Sequence, residues 1–193
     1  MNFPLYTLAP ISWYVNAINS GEIFIFPDEL FPKQTLRNRL VIPTANNMKS
    51  LSVPIDGKTK HEAYGKVMIS YSENWVKQWL QTMATAYGKS PFYEFYGYRF
   101  EDVLKKEHTH IYALNIELLN LSLKMLKAEV EITEMTGRPD SEDFYQLENF
   151  DLPPFRQVFT ERHGFQQDVS IADLIFNKGP NALDYLIQAS KSS

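Results

Sequence analysis

The chain has 193 residues, 44% hydrophobic, 14% aromatic and 22% charged, with a formal net charge of −4 and no cysteine. That balance excludes a disordered tail, a coiled coil and collagen, and the missing thiol excludes a cysteine nucleophile, a disulfide framework and thiolate metal sites. Residues 1–100 carry 10 Lys/Arg against 7 Asp/Glu, and residues 101–193 carry 9 against 16. A long polyanion would meet only the N-terminal half, so nucleic acid is not the expected partner, whereas a small phosphorylated ligand stays open.

Phe3 to Leu8 reads as a strand, Pro10 and Ser12 open a short helix that Gly21 closes, and Glu22 to Phe26 reads as a second strand. The linking segment is long enough for a crossover, so a β-α-β opening is expected. Arg39–Ile42, Leu51–Ile55 and Val67–Ser70 are further β-rich runs, the first two joined through a polar Asn46-Asn47 turn. After Ser72, taken as a cap, Trp75, Trp79, Met83 and Tyr87 recur every four residues and predict a helix ending near Gly88. Residues 91–105 form an aromatic-rich helix, and two adjacent apolar stripes over His110–Lys127 predict the central buried one. Glu129–Glu134 alternates as an edge strand, and Gly137–Leu152 reads as a mobile acidic loop, either a cover over the basic site that Phe144 and Tyr145 would anchor when closed or a solvated loop remote from it. Two short helices follow, over Ser170–Asn177 and from Pro180.

No stretch reaches the roughly 18 apolar residues of a spanning helix. The first basic residue is Lys33, so the start lacks the charged head of a secretory signal and a cytoplasmic location is expected. Gly57-Lys58-Thr59 resembles the tail of a phosphate-binding loop, but Ser52 occupies the place of its first glycine. No motif names a cofactor. His108 and His110 sit at a helix start, where residues two apart do not face each other, so no metal site is expected. His163, before Gly164, is the candidate proton shuttle, with a helix-terminal role as the alternative. Ser170 and Asp173 have capping-box spacing, with a catalytic serine–aspartate pair as the sharper reading.

The main candidate binding cluster is Lys33, Arg37, Asn38 and Arg39. On a strand, Arg37 and Arg39 would share one face and Asn38 the other. Their guanidinium groups suit two-point contact with phosphate or carboxylate, as in a nucleotide-sugar. A solvated edge strand is the plain alternative.

These residues belong to a wider set of blocks that includes Leu8-Ala9-Pro10, Phe31 to Arg39, Ala86 to Phe92, Val169 to Leu174 and Phe176 to Pro180. In order and spacing they resemble the WbqC-like family of bacterial proteins, in a form associated with Bacteroidetes. The resemblance implies work on O-antigen and other surface polysaccharides, with a glycine transferase role suggested for members. It also implies that Lys33, Asn38 and Arg39 match a recurring family element. Trp79 stands where the family pattern commonly has a histidine, Leu36 where it has a tryptophan, and Leu30 where it often has a glutamine.

The expected architecture is one α/β domain over residues 1–193, with a mixed sheet from the N-terminal half packed by helices mainly from the C-terminal half. The expected function is a cytoplasmic aminoacyl or acyl transferase acting on a sugar precursor, a small-molecule substrate. The rival is a non-catalytic binding or scaffold protein of the same pathway.

Overall fold

Pro10 has no side-chain oxygen to accept from the first free amides, so the helix it introduces, α1 (Ile11–Ser20), draws its cap from elsewhere. Asp168 supplies it, accepting from the Ser12 amide at 2.7 Å and the Ser12 hydroxyl at 2.8 Å. Gly21, at φ +68°, ends the helix in the left-handed conformation that glycine adopts without strain. The computed structural model describes residues 1–32, 35–138, 145 and 147–191. The predicted Lys33, and residues 139–144 and 146 of the acidic loop, Phe144 among them, lie outside them.

Two small sheets follow. Strand β1 (Glu22–Ile25) runs parallel to β4 (Glu131–Glu134), with Ile23 opposite Ile132. Strands β2 (Arg39–Pro43) and β3 (Met48–Ser52) form an antiparallel hairpin around the expected Asn46-Asn47 turn. The predicted first strand shrinks to a single parallel bridge, Asn2 to Phe24. Beyond it Pro4 has no N–H, and its carbonyl accepts from the Trp13 indole, so no ladder continues. The parallel partner of β1 is therefore β4.

Helix α2 (Trp75–Tyr87) buries Trp75, Trp79, Met83 and Tyr87, the predicted stripe. Its cap is Asn74 and not Ser72, whose hydroxyl is turned toward Ser70. Helix α3 (Tyr93–Leu104) leaves Phe95 and Tyr98 exposed. Helix α4 (Ile111–Leu126) is buried on most sides and stops where Lys127 turns left-handed. A one-turn helix, α5 (Thr160–His163), precedes α6 (Ile171–Lys178) and α7 (Ala182–Ala189). The architecture is thus mixed α/β, and one hydrophobic core runs from Phe3 to Ala189. Among the described residues no helix is long and apolar enough to cross a membrane.

The rings of Tyr87, Tyr93 and Phe100 surround Phe176 with centroids 5.0 to 5.4 Å away, the tilted and edge contacts aromatic rings prefer. Gly179 follows this cluster because its φ is +53° and a Cβ there would lie 2.5 Å from the Phe92 ring.

Ser170 caps α6: its hydroxyl accepts from the Ala172 amide at 3.3 Å and donates to the Leu8 carbonyl at 2.8 Å. The reciprocal half of the capping box does not form, because the Ser170 amide already donates to the Val41 carbonyl. Ser170→Ala should therefore cost about 1 to 2 kcal/mol, read by urea unfolding, through the lost cap and the unpaired carbonyl.

Candidate functional site

Two prolines and a turn build the first wall of a cleft. The strap from Pro27 to Phe31 is clipped down where the Tyr64 amide donates to the Glu29 carbonyl and the Gly65 amide to the Pro27 carbonyl, both at 2.8 Å. This points Glu29 inward, only 4% exposed. Across from it, residues 36–38 form a 3-10 turn that carries Arg37, also buried. Arg37 Nε donates to Glu29 Oε1 at 2.8 Å and Nη2 to Oε2 at 2.7 Å, a two-point ion pair. The guanidinium carbon lies 5.7 to 5.9 Å from the ring centres of Tyr6, Tyr64 and Tyr145.

A buried polar network fixes the Arg37 backbone. Its carbonyl accepts from Asn115 Nδ2 at 2.7 Å, and the Thr7 hydroxyl sits 2.8 Å from both that carbonyl and Asn115 Oδ1. The Tyr64 hydroxyl donates to the Leu5 carbonyl and accepts from Asn115. Thr7, Tyr64 and Asn115 are all fully buried, where a satisfied network is rigid and a broken one costly. The ion pair therefore stands on a fixed base.

The cleft over this pair has a volume of about 670 Å³, within the range of small-molecule sites. Tyr6, Thr35, Leu30 and Leu147 line it, together with Arg138 and Tyr145. Burial works against the charge on Arg37, but the hydrogen bonds and field of Glu29 outweigh it and hold the guanidinium above its ordinary pKa. The Tyr145 hydroxyl donates to Glu29 Oε2. Burial, and then the Glu29 carboxylate, push that phenol above its ordinary range, so it remains a donor at neutral pH. Arg138 makes no ion pair among the described residues. The cleft thus presents an anchored carboxylate, a phenol that donates to it, and the Arg138 cation.

The predicted cluster is spread over several places. A 3-10 turn advances about a third of a circle per residue where a strand alternates, so Arg37 and Arg39 do not share the face expected for them. Arg37 lines the cleft. Asn38 Nδ2 instead donates to the Val53 carbonyl at 3.0 Å, and the Val53 amide returns a bond to the Asn38 carbonyl. Arg39, the first residue of β2, lines a separate cavity of about 70 Å³ with Asp168 and Ser170. His163 ends α5 and is not among the residues lining the cleft; its Nε2 lies 3.0 Å from the Ala45 carbonyl. His108 pairs with Glu117 of α4 at 2.6 Å.

Sequence reasoning missed Glu29. Its signal was weak: one of two adjacent carboxylates, Asp28 and Glu29, in a proline-flanked turn, eight residues before an arginine, with no periodicity to tie the two. Tyr145 and Leu147, from the middle of the predicted acidic loop, and Arg138 from its start all line the cleft.

A second buried carboxyl lies away from it. Asp173 is fully buried on α6, and Gln157 Nε2 donates to its Oδ2 at 2.9 Å. Burial pushes its pKa up to about 7, against the opposing hydrogen bonds of Gln157 and Tyr87.

The chain matches the WbqC-like protein family over residues 7–147, about three quarters of its length, and belongs to that family. It is 24% identical over 202 aligned residues to the uncharacterized protein Rv1507c of Mycobacterium tuberculosis, with 86% of this chain and 87% of the other covered. No solved structure matches it.

Proposed function

We propose that this member of the WbqC-like family is an acyl or aminoacyl transferase that takes a sugar precursor of bacterial surface polysaccharide into the Glu29–Arg37 cleft, inside the cell. The observation that carries the reading is a buried carboxylate in a two-point ion pair with its arginine, facing a cavity of substrate size that also holds Arg138, which makes no ion pair among the described residues. In the reaction, the acceptor amine nitrogen bonds to the carbonyl carbon of an activated donor, the bond from that carbon to the leaving oxygen breaks, and the amine proton passes to Glu29. Arg138 meets the phosphates of a nucleotide-sugar, and the Tyr145 hydroxyl donates toward the oxygen that gains charge.

A second reading, a binding subunit without catalysis, is favoured by one detail. Both Glu29 oxygens already accept hydrogen bonds, from Arg37 and Tyr145.

Thermal shift against nucleotide-sugars and acyl adenylates tests both. A ligand at about 100 times its Kd stabilises by about 2.7 kcal/mol, which for a chain of this length raises Tm by roughly 5 to 10 °C. Arg138→Ala should lose most of that shift. Glu29→Gln should keep binding and lose transfer under the transferase reading. Binding without transfer in the unaltered chain selects the second reading, and no shift with any of these compounds removes the sugar precursor altogether.

A further inference from the structure

The buried stripe of α2 turns Gln78, Gln81, Thr82 and Thr85 toward the turn of the β2–β3 hairpin, spaced as one flank of a helix. Between them lies a groove of about 450 Å³, whose opposite wall includes Asn46 and Lys49. Neither wall needs a ligand to hold its shape. The Thr44 hydroxyl donates to the Asn47 carbonyl at 2.6 Å and the Thr44 amide to the same oxygen at 3.0 Å. From behind, Arg162 donates to the Ala45 carbonyl at 2.7 Å and His163 Nε2 lies 3.0 Å from it. Lys49 Nζ donates to Thr82 Oγ1 at 3.2 Å and ties the two walls together. A preformed groove spares a ligand the cost of ordering the protein.

Its lining is chemically selective. The amides of Asn46, Gln78 and Gln81 each offer donors and an acceptor, and make no side-chain hydrogen bond among the described residues. Among the described residues the lining holds no carboxylate and no aromatic side chain, and its one charge, Lys49, already donates to Thr82. A metal ion finds no anionic ligand there. An apolar ligand would strip water from three amides without replacing it, at a net cost. An anion would meet one lysine. A neutral ligand dense in hydroxyl groups, each both donor and acceptor, matches the amides group for group.

We propose that this groove binds a neutral saccharide, independently of the Glu29–Arg37 cleft. The experiment titrates the full chain with short neutral oligosaccharides of several linkages, and with inorganic sulfate, following the side-chain amide signals by NMR. Signals of Asn46, Gln78 and Gln81 should move with at least one saccharide and not with sulfate. The Gln78→Ala, Gln81→Ala double variant, altered only at exposed positions, should weaken that binding roughly tenfold or more. Arg138→Ala should leave it unchanged, which separates this groove from the cleft. Overturning results are no movement with any saccharide, equal movement with sulfate, or saccharide-induced changes confined to the cleft.

Discussion

Arg37→Met should destabilise the fold by about 3 to 5 kcal/mol, the range for removing one partner of a buried ion pair. The variant leaves Glu29, 4% exposed, without its cation and with Tyr145 as its remaining side-chain donor among those described. It also removes the guanidinium that three tyrosine rings surround. Urea unfolding of the two proteins measures the difference. A cost below about 1 kcal/mol would mean the pair behaves like a solvated surface bridge, and its base would not be the fixed one described above.

The companion variant separates stability from use. Glu29→Met with Arg37→Met removes both charges at similar volume, an exchange that is often neutral or stabilising. Most of the stability lost in the single variant should return. A fold that tolerates methionines at both positions but no longer binds a ligand in the cleft would show that the pair is kept for the ligand. Recovery of both stability and binding would assign the pair to neither.

What was legible in the sequence was what neighbouring residues dictate. The four-residue recurrence of Trp75, Trp79 and Met83 marks α2, and Asn46-Asn47 marks the hairpin turn, because helix period and turn chemistry act over a few positions. The pairing of β1 with β4 joins segments over a hundred residues apart, and the strand pattern of each says only that it wants a partner. The Asp168 cap on α1 is hidden for the same reason. The site followed this division. Arg37 was visible as part of a charged run, but whether a charged run lines a strand or a 3-10 turn depends on what packs beneath it, here Thr7, Tyr64 and Asn115. Glu29 became readable only once the strap and the turn faced each other.

The largest pH effect should come from Asp173, which sequence reasoning placed in a cap and which the fold buries instead. Burial raises its pKa to about 7 in the folded chain, against an ordinary value of about 3.9 in the unfolded one. Between those values the native state holds a proton that the unfolded state has released, so stability falls as pH rises. The contribution is greatest below about pH 4, declines through the interval and is spent above about pH 7, a loss of about 4 kcal/mol. Asp173→Asn has no proton to lose, and its amide oxygen can still accept from Gln157 while its NH2 group donates toward Tyr87. Glu117 acts in the opposite sense at the acid end, its pKa lowered by Lys106 and His108 despite burial, so it adds stability that is lost as pH falls. The informative quantity is therefore the difference between the two proteins, measured by urea unfolding from pH 4 to pH 8. The variant should gain about 4 kcal/mol on the unaltered chain across that range. Parallel profiles would show that Asp173 ionises as an ordinary carboxyl and that water or a donor reaches its Oδ1.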